Sequence, residues 1–193
     1  MLALVGLVGQ EFAAKRALRA AVLARRAARS AAERAALAEV LAARVCALPE
    51  VASAPVVAAY AGTGTEVPTG PLLDALRARG ATVLLPVLLD GDDLAWGRYD
   101  GTLVEGRRGL REPPARDASI GDADVVVVPG VAYDAALRRL GRGGGSYDRA
   151  LAPVTAPVVA FATDDEVLAE VPVEPHDRPV DVVVTPTRVL RRD

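Results

Sequence analysis

The fold class is decided by the stretch Asp124-Val125-Val126-Val127-Val128-Pro129-Gly130, in which four consecutive valines end at a Pro-Gly pair. A continuous apolar run of this length is typical of a strand buried on both faces, as in parallel sheets. Comparable strands are predicted on both sides of it, at residues 56–60, 82–85, 94–99, 158–161 and 180–184.

Helices are predicted between these strands. An Ala- and Arg-rich helix covers residues 10–29, and Ser30 starts a second helix as its N-cap, with Glu33 in the capping-box position and Pro49 at its end. Further helices are predicted at residues 69–79 and 146–152. This alternation predicts an α/β fold: a three-layer α/β/α arrangement with a mostly parallel open sheet and helices on both faces. One domain is expected over residues 1–193, with residues 1–9 as an extension that could be disordered.

Composition excludes several classes of function. The net charge is −2 and aromatic residues make up 4% of the chain, so we expect no nucleic-acid partner. No apolar stretch is long enough for a membrane span, and the single cysteine, Cys46, fits a reducing compartment. We therefore expect a cytoplasmic protein. A monomer or weak homodimer is the expected oligomeric state. One histidine and one cysteine also exclude a His/Cys metal site.

A Gly-rich stretch follows the valine strand: Arg138-Arg139-Leu140-Gly141-Arg142-Gly143-Gly144-Gly145-Ser146-Tyr147-Asp148-Arg149. Backbone amides of such a loop can form an anion-binding nest, and the arginines add positive charge. An aspartate just beyond it could hold a divalent cation beside a bound phosphate. The stretch favours a phosphate and metal site, with a nucleotide as the ligand. The alternative is a flexible turn with solvated arginines.

The familiar nucleotide-binding and hydrolase motifs are absent. The only lysine, Lys15, lies far from the glycines, so there is no Walker A loop, and neither the dinucleotide fingerprint nor the kinase signatures occur. No nucleophile elbow is present, and the lone His176 belongs to no plausible catalytic triad. Lys15 and Arg19 are four residues apart on one helical face, where they could converge on an anion.

Five blocks of sequence, in order along the chain, resemble the 5-formyltetrahydrofolate cyclo-ligase family. The resemblance covers nearly the whole chain after the first ten residues. The blocks are Lys15-Arg16-x-x-Arg19, Thr65-Glu66-Val67-Pro68-Thr69, Gly109-Leu110-Arg111-Glu112-Pro113, residues 129–134 followed by 139–149, and Pro175-His176-Asp177-Arg178-Pro179-Val180-Asp181. Members usually have Tyr-Tyr-Asp where this chain has Ser146-Tyr147-Asp148. Pro68 also replaces a common Asp, and Arg107-Arg108 replace an aromatic before Gly109.

The resemblance implies an ATP- and magnesium-dependent ligase that closes 5-formyltetrahydrofolate to 5,10-methenyltetrahydrofolate, through a phosphorylated iminium intermediate, with release of ADP and phosphate. It implies that Lys15, Arg19 and the segment Arg139, Leu140, Gly141, Arg142, Gly143, Gly144, Gly145, Ser146 and Tyr147 bind ATP. Arg142 and Tyr147 are the expected catalytic residues, Glu66 the folate-binding residue, and Asp148 and Asp177 the magnesium ligands.

Other roles remain open for these residues. Glu66 could be a loop carboxylate, Asp177 a turn residue, Asp148 a first-turn helix acid, and Tyr147 a core residue. Two other functions also remain open, since the departures fall where the substrate would bind. One is a related ATP-dependent ligase or phosphotransferase acting on another folate or small amide. The other is a non-catalytic nucleotide-binding module.

Overall fold

The computed structural model describes residues 2–172, 174 and 177–192, with the side chains described from residue 13 onward. Pro175 and His176 of the last sequence block lie outside the described residues, as does Met1.

A mixed sheet of seven strands forms the centre of the molecule. In spatial order its strands are β12 (Val189–Arg191), β11 (Val182–Val184), β9 (Val158–Phe161), β6 (Val125–Val128), β1 (Val56–Ala58), β2 (Thr82–Leu88) and β3 (Leu94–Arg98). The five inner strands pair in parallel, whereas β3 and β12 are antiparallel at the two edges. The predicted mostly parallel α/β sheet is therefore confirmed.

Two smaller sheets lie beside the central one. The first has the order β10 (Val167–Leu168), β7 (Ala132–Asp134) and β8 (Arg139–Leu140), and the second pairs β4 (Val104–Glu105) with β5 (Arg111–Glu112). The sequence analysis predicted none of these short strands. Each has only two or three residues, so hydrophobic periodicity could not reveal them.

Five helices complete the fold: α1 (Leu2–Ala28), α2 (Ala31–Cys46), α3 (Pro49–Ala52), α4 (Gly70–Ala78) and α5 (Ser146–Leu151). Ser30 caps α2 as predicted, because its hydroxyl accepts from the Glu33 amide while the Glu33 carboxylate accepts from the Ser30 amide. The first helix begins at Leu2, earlier than predicted. Pro49 lies in the first turn of α3, where its missing N–H carries no cost.

The valine strand shows how the layers form. Val125 and Val127 pack into a core with Leu41 of α2 and Leu72 of α4, whereas Val126 and Val128 face the opposite core, which includes Leu151 of α5. Alternate side chains of a strand point to opposite faces, so four valines fill both cores. Helices therefore cover both faces, as predicted. The long helix α1 packs elsewhere, with Val22 against residues of β7 and β8.

The strand order reverses beside β1. The chain runs from β1 to β2 and β3 on one side, and then returns to β6 on the other side of β1. The loops that follow β1 and β6 therefore diverge, which leaves a crevice at the C-terminal edge of the sheet. Ligands of open α/β sheets bind at such a switch point. No helix in the described part of the chain combines the length and apolar character that crossing a membrane requires.

Candidate active site

A cavity of about 610 Å³ opens at this switch point. Tyr60 and Glu66, which follow β1, form one wall, and Pro129 and Gly130, which follow β6, form another. The Gly-rich segment closes a third side. The volume is in the range of cavities that bind small molecules.

The hairpin of β7 and β8 brings the Gly-rich segment to the cavity. Val131 donates its amide proton to the carbonyl of Leu140 at 2.6 Å, so the segment begins at a fixed point. Gly143 and Gly145 have φ angles of 103° and 67°, a region that other L-residues rarely adopt. The glycines at these two positions therefore allow the turn into α5.

A buried ion pair joins the two ends of this segment. Arg139 Nη2 lies 2.5 Å from Asp148 Oδ1, and Arg139 Nη1 donates to the carbonyl of Pro129 at 3.3 Å. Arg139 Nε is buried without a hydrogen-bond partner among the described residues. Asp148 thus lines the cavity, and its carboxylate is paired with the Arg139 guanidinium.

A second ion pair crosses the cavity. Arg142 Nη2 lies 2.9 Å from Glu66 Oε1, while Glu66 Oε2 accepts from the Thr63 amide at 2.8 Å. The Glu66 side chain is 11% exposed and that of Arg142 is 55% exposed. The predicted folate-binding carboxylate and the predicted catalytic arginine therefore contact each other.

Of the two predicted residues of α1, Arg19 contacts the Gly-rich segment, whereas Lys15 contacts two carboxylates that do not line the cavity. The Lys15 ammonium is 2.6 Å from Asp177 Oδ2 and 2.8 Å from Glu174 Oε2. Burial opposes the charge of Lys15, but hydrogen bonds to both carboxylates outweigh it and raise its pKa. Arg19 Nε donates to the carbonyl of Gly141 at 2.8 Å, which joins α1 to the Gly-rich segment.

The hydroxyl of Tyr147 is buried with no hydrogen-bond partner in the described part of the protein. Burial raises the pKa of Tyr147 well above its usual value, and the Glu66 carboxylate raises it further. A phenol in this state keeps its proton at every physiological pH, so it can donate a hydrogen bond. The adjacent Ser146 also lines the cavity.

The structure brings most of the predicted site together. Ten predicted residues line the cavity: Glu66, Arg139, Gly141, Arg142, Gly143, Gly144, Gly145, Ser146, Tyr147 and Asp148. Four others do not line it: Lys15, Arg19, Leu140 and Asp177. Leu140 packs with Val22 in a small core, so its side chain faces away from the cavity.

The sequence analysis missed two features of the cavity wall. Glu112 is buried, and its Oε1 accepts from the Leu88 amide at 2.9 Å. It belongs to a block quoted for the resemblance, which was the only signal for it. At Gly130 a Cβ atom would lie 2.3 Å from the Tyr133 hydroxyl oxygen, so this tyrosine requires glycine there.

Two strained turns meet beside the cavity. Asp92 and Arg108 have φ angles of 65° and 55°, both line the cavity, and their charged groups are 2.7 Å apart. A left-handed backbone costs a non-glycine residue about 1–2 kcal/mol. Arg149 holds the Asp92 turn against the Gly-rich segment, because it donates to the carbonyls of Asp92 and Gly144 at 3.0 and 3.2 Å.

The described residues contain no group of three or more Asp, Glu, His or Cys side chains that could hold a metal by themselves. Magnesium is commonly held by one or two carboxylates together with substrate phosphates and water. Asp148 lines the cavity and Asp177 does not, and each of these carboxylates contacts a cationic side chain.

The fold and the cavity define a class of protein: an open α/β protein with a small-molecule site at the strand-order reversal and a cationic, Gly-rich wall suited to an anionic ligand. A family model described as the 5-formyltetrahydrofolate cyclo-ligase family matches residues 11–186. The chain therefore belongs to this family, as the sequence resemblance predicted, and it is an enzyme of the ligase type.

Individual relatives agree with this assignment. The chain is 48% identical to a 5-formyltetrahydrofolate cyclo-ligase of Mycolicibacterium smegmatis over 143 residues, which is 68% of this chain and 74% of that protein. It is 36% identical to the Escherichia coli cyclo-ligase over 157 residues, or 76% of this chain and 86% of that one. The NMR structure of Aquifex aeolicus 5,10-methenyltetrahydrofolate synthetase superposes with a TM-score of 0.83 at 34% identity, covering 93% of each chain.

Proposed function

We propose that this protein cyclises 5-formyltetrahydrofolate to 5,10-methenyltetrahydrofolate with consumption of ATP and release of ADP and phosphate. The observation that carries the proposal is the Gly-rich segment at the switch point, with Arg139 and Arg142 facing the same cavity as Glu66. The family assignment supports the folate substrate. The surrounding charges support a phosphate-bearing co-substrate.

The proposed reaction has two chemical steps. The formyl oxygen attacks the γ-phosphorus of ATP, the bond to the bridging oxygen breaks, and ADP leaves with that electron pair. The neighbouring amine nitrogen then bonds to the formyl carbon and loses its proton, and the carbon–oxygen bond breaks to release phosphate. A formyl amide is a poor electrophile, and phosphorylation converts its oxygen into a good leaving group.

The residues of the cavity suit the first step. Phosphoryl transfer depends on positioning and charge neutralisation more than on a protein nucleophile. Arg142 and the amides of the glycine run would stabilise charge on the transferred group, and Lys15 and Arg19 would hold the other phosphates. Tyr147, which keeps its proton, would donate a hydrogen bond at the reacting centre.

The carboxylates suit a magnesium ion bound with ATP. Asp148 and Asp177 would hold it, and it would neutralise phosphate charge. Each predicted ligand-binding carboxylate now contacts a predicted phosphate-binding cation: Glu66 with Arg142, Asp148 with Arg139, and Asp177 with Lys15. When both substrates and magnesium bind, the arginines and Lys15 would pair with phosphates, and the carboxylates would pair with folate or magnesium. Each charge that loses its present partner would therefore gain a new one.

The test is a direct assay of the purified protein. With ATP, magnesium and 5-formyltetrahydrofolate, we expect the near-ultraviolet absorbance of the methenyl product to appear, and we expect none when ATP is left out or replaced by ADP. ATP binding without turnover would contradict the proposal and favour the non-catalytic nucleotide-binding module. ATP consumption only with a different formamide would instead favour the related ligase.

A further inference from the structure

We propose that Arg108 binds the glutamyl carboxylates of the folate at the mouth of the cavity. The inference rests on the proposed function, because it concerns the same substrate. It begins with the position of the side chain: Arg108 lines the cavity, yet its side chain is 69% exposed. Glu66 lines the same cavity with 11% exposure. A ligand held by Glu66 at the inner end would therefore reach solvent near residues such as Arg108.

The backbone fixes Arg108 in this position. It lies in a short turn between β4 and β5 and has a left-handed backbone, as does the following Gly109. The Gly106 amide donates to the Leu110 carbonyl at 2.7 Å, and the Leu110 amide donates to the Arg107 carbonyl at 3.1 Å. Left-handed arginine is uncommon, and strained backbone of this kind concentrates at ligand sites.

The other arginines that line the cavity each have a hydrogen-bond or ion-pair partner other than Asp92. Arg139 and Arg142 contact Asp148 and Glu66, and the Arg111 guanidinium donates to the Leu103 carbonyl. Among the described residues, the one ion pair of Arg108 is with the carboxylate of Asp92, and the Arg108 side chain in this pair is open to solvent. Exposed pairs contribute little to stability, so the Arg108 guanidinium can be shared with a second carboxylate at low cost.

The shape of the substrate matches this arrangement. A folate has a hydrogen-bonding pterin at one end, an aromatic ring in the middle and glutamyl carboxylates at the other end. The cavity wall also contains Pro86, Leu88, Leu94 and Leu110, whose apolar side chains suit an aromatic ring. Arg108 would then provide a guanidinium whose fork geometry matches a carboxylate.

The chain offers a matched control in the preceding residue. Arg107 belongs to the same turn and forms an ion pair with Asp90, but it does not line the cavity. The test measures the dissociation constants of 5-formyltetrahydrofolate and of 5-formyltetrahydropteroate, which lacks the glutamate. They are compared in wild type, Arg108→Asn, Arg108→Lys and Arg107→Asn. Asparagine tolerates the left-handed backbone, so the first variant removes charge without adding strain.

We expect Arg108→Asn to weaken binding of the glutamylated compound by about twofold to fivefold, the range of a solvent-exposed ion pair. Binding of the truncated compound should be unchanged, Arg108→Lys should restore part of the loss, and Arg107→Asn should behave like wild type. The loss should shrink at high salt. Equal effects on both compounds, or no effect on either, would overturn the inference. Because binding is measured directly, a wild type that binds both compounds without turnover would count against the proposed function alone.

Discussion

Substitution of Asp148 should affect both activity and stability, because Asp148 is a predicted magnesium ligand and also the ion-pair partner of the buried Arg139. We expect Asp148→Asn to lower kcat/KM by about 100-fold through loss of electrostatic stabilisation at the transferred group. Asparagine keeps an acceptor for Arg139, whereas Asp148→Ala leaves that charge unpaired, at a cost of about 3 kcal/mol in unfolding free energy.

The measurements are the methenyl assay and urea unfolding. Asp124→Asn is a suitable control, because Asp124 also accepts a hydrogen bond, from the Val56 amide at 2.8 Å, but does not line the cavity. Wild-type turnover in Asp148→Asn would remove this residue from the metal site.

Among the elements, the loop after β1 and the Gly-rich segment are joined by the ion pair between Glu66 and Arg142. Folate would bind to Glu66, and ATP phosphates would bind to Arg142. Binding of either ligand would therefore break the ion pair and leave the other residue available for the second ligand. We expect a non-hydrolysable ATP analogue to tighten folate binding by about twofold to fivefold, and folate to tighten analogue binding by the same factor. In Arg142→Gln this coupling should disappear.

Titration calorimetry with each ligand, alone and in the presence of the other, measures this factor. Arg98→Gln provides the control, since Arg98 is an exposed arginine outside the cavity wall. Independent binding of the two ligands to the wild type would show that the ion pair does not couple them.

The capping box of α2 predicts a pH effect. Hydrogen bonds from the backbone and hydroxyl of Ser30 hold the pKa of Glu33 below its usual value of 4.5. A lowered folded-state pKa adds stability that is fully present above pH 4.5 and is lost as the pH falls through the folded value. The stability difference between wild type and Glu33→Gln should therefore be constant near pH 7 and vanish in acid.

Thermal unfolding from pH 7 to pH 3 checks this effect. At neutral pH, Ser30→Ala should cost about 1 kcal/mol. A Glu33→Gln difference that persists unchanged at pH 3 would contradict the assignment.

At the scale of the whole molecule, buried ion pairs and hydrogen bonds connect α1 to the rest of the fold. Arg26 donates to Glu166 Oε1 at 2.8 Å and to the Gly130 carbonyl at 2.6 Å, and Arg29 reaches the same Glu166 oxygen at 3.1 Å. We expect Glu166→Ala to lower the unfolding free energy by about 3–5 kcal/mol, because it removes the carboxylate that pairs with the buried Arg26.

The same substitution should weaken ATP binding, since α1 carries Lys15 and Arg19. Urea unfolding and ATP titration are the measurements. The comparison is Asp165→Ala, because the half-exposed carboxylate of Asp165 pairs with Arg29 and its loss should change the unfolding free energy by less than about 1 kcal/mol. Equal stability of the two variants would show that the buried pair contributes no more than a surface pair.

The sequence by itself determined the elements whose signals are local. The strands Val125–Val128 and Val158–Phe161 have the predicted bounds, because continuous apolar runs between turn residues specify buried strands. The Ser30 capping box was predicted for the same reason, since its contacts span three residues. The candidate site residues came from motif resemblance, and ten of them line one cavity.

Only the tertiary structure decided which charges meet. Lys15 contacts Asp177 across 162 positions of sequence, and Arg142 contacts Glu66 across 76. The hairpin of β7 and β8, which leads into the Gly-rich segment, pairs too few residues to show a hydrophobic pattern. Propensity and periodicity act within a few residues, whereas these contacts depend on the strand order that makes the loops after β1 and β6 diverge around one cavity.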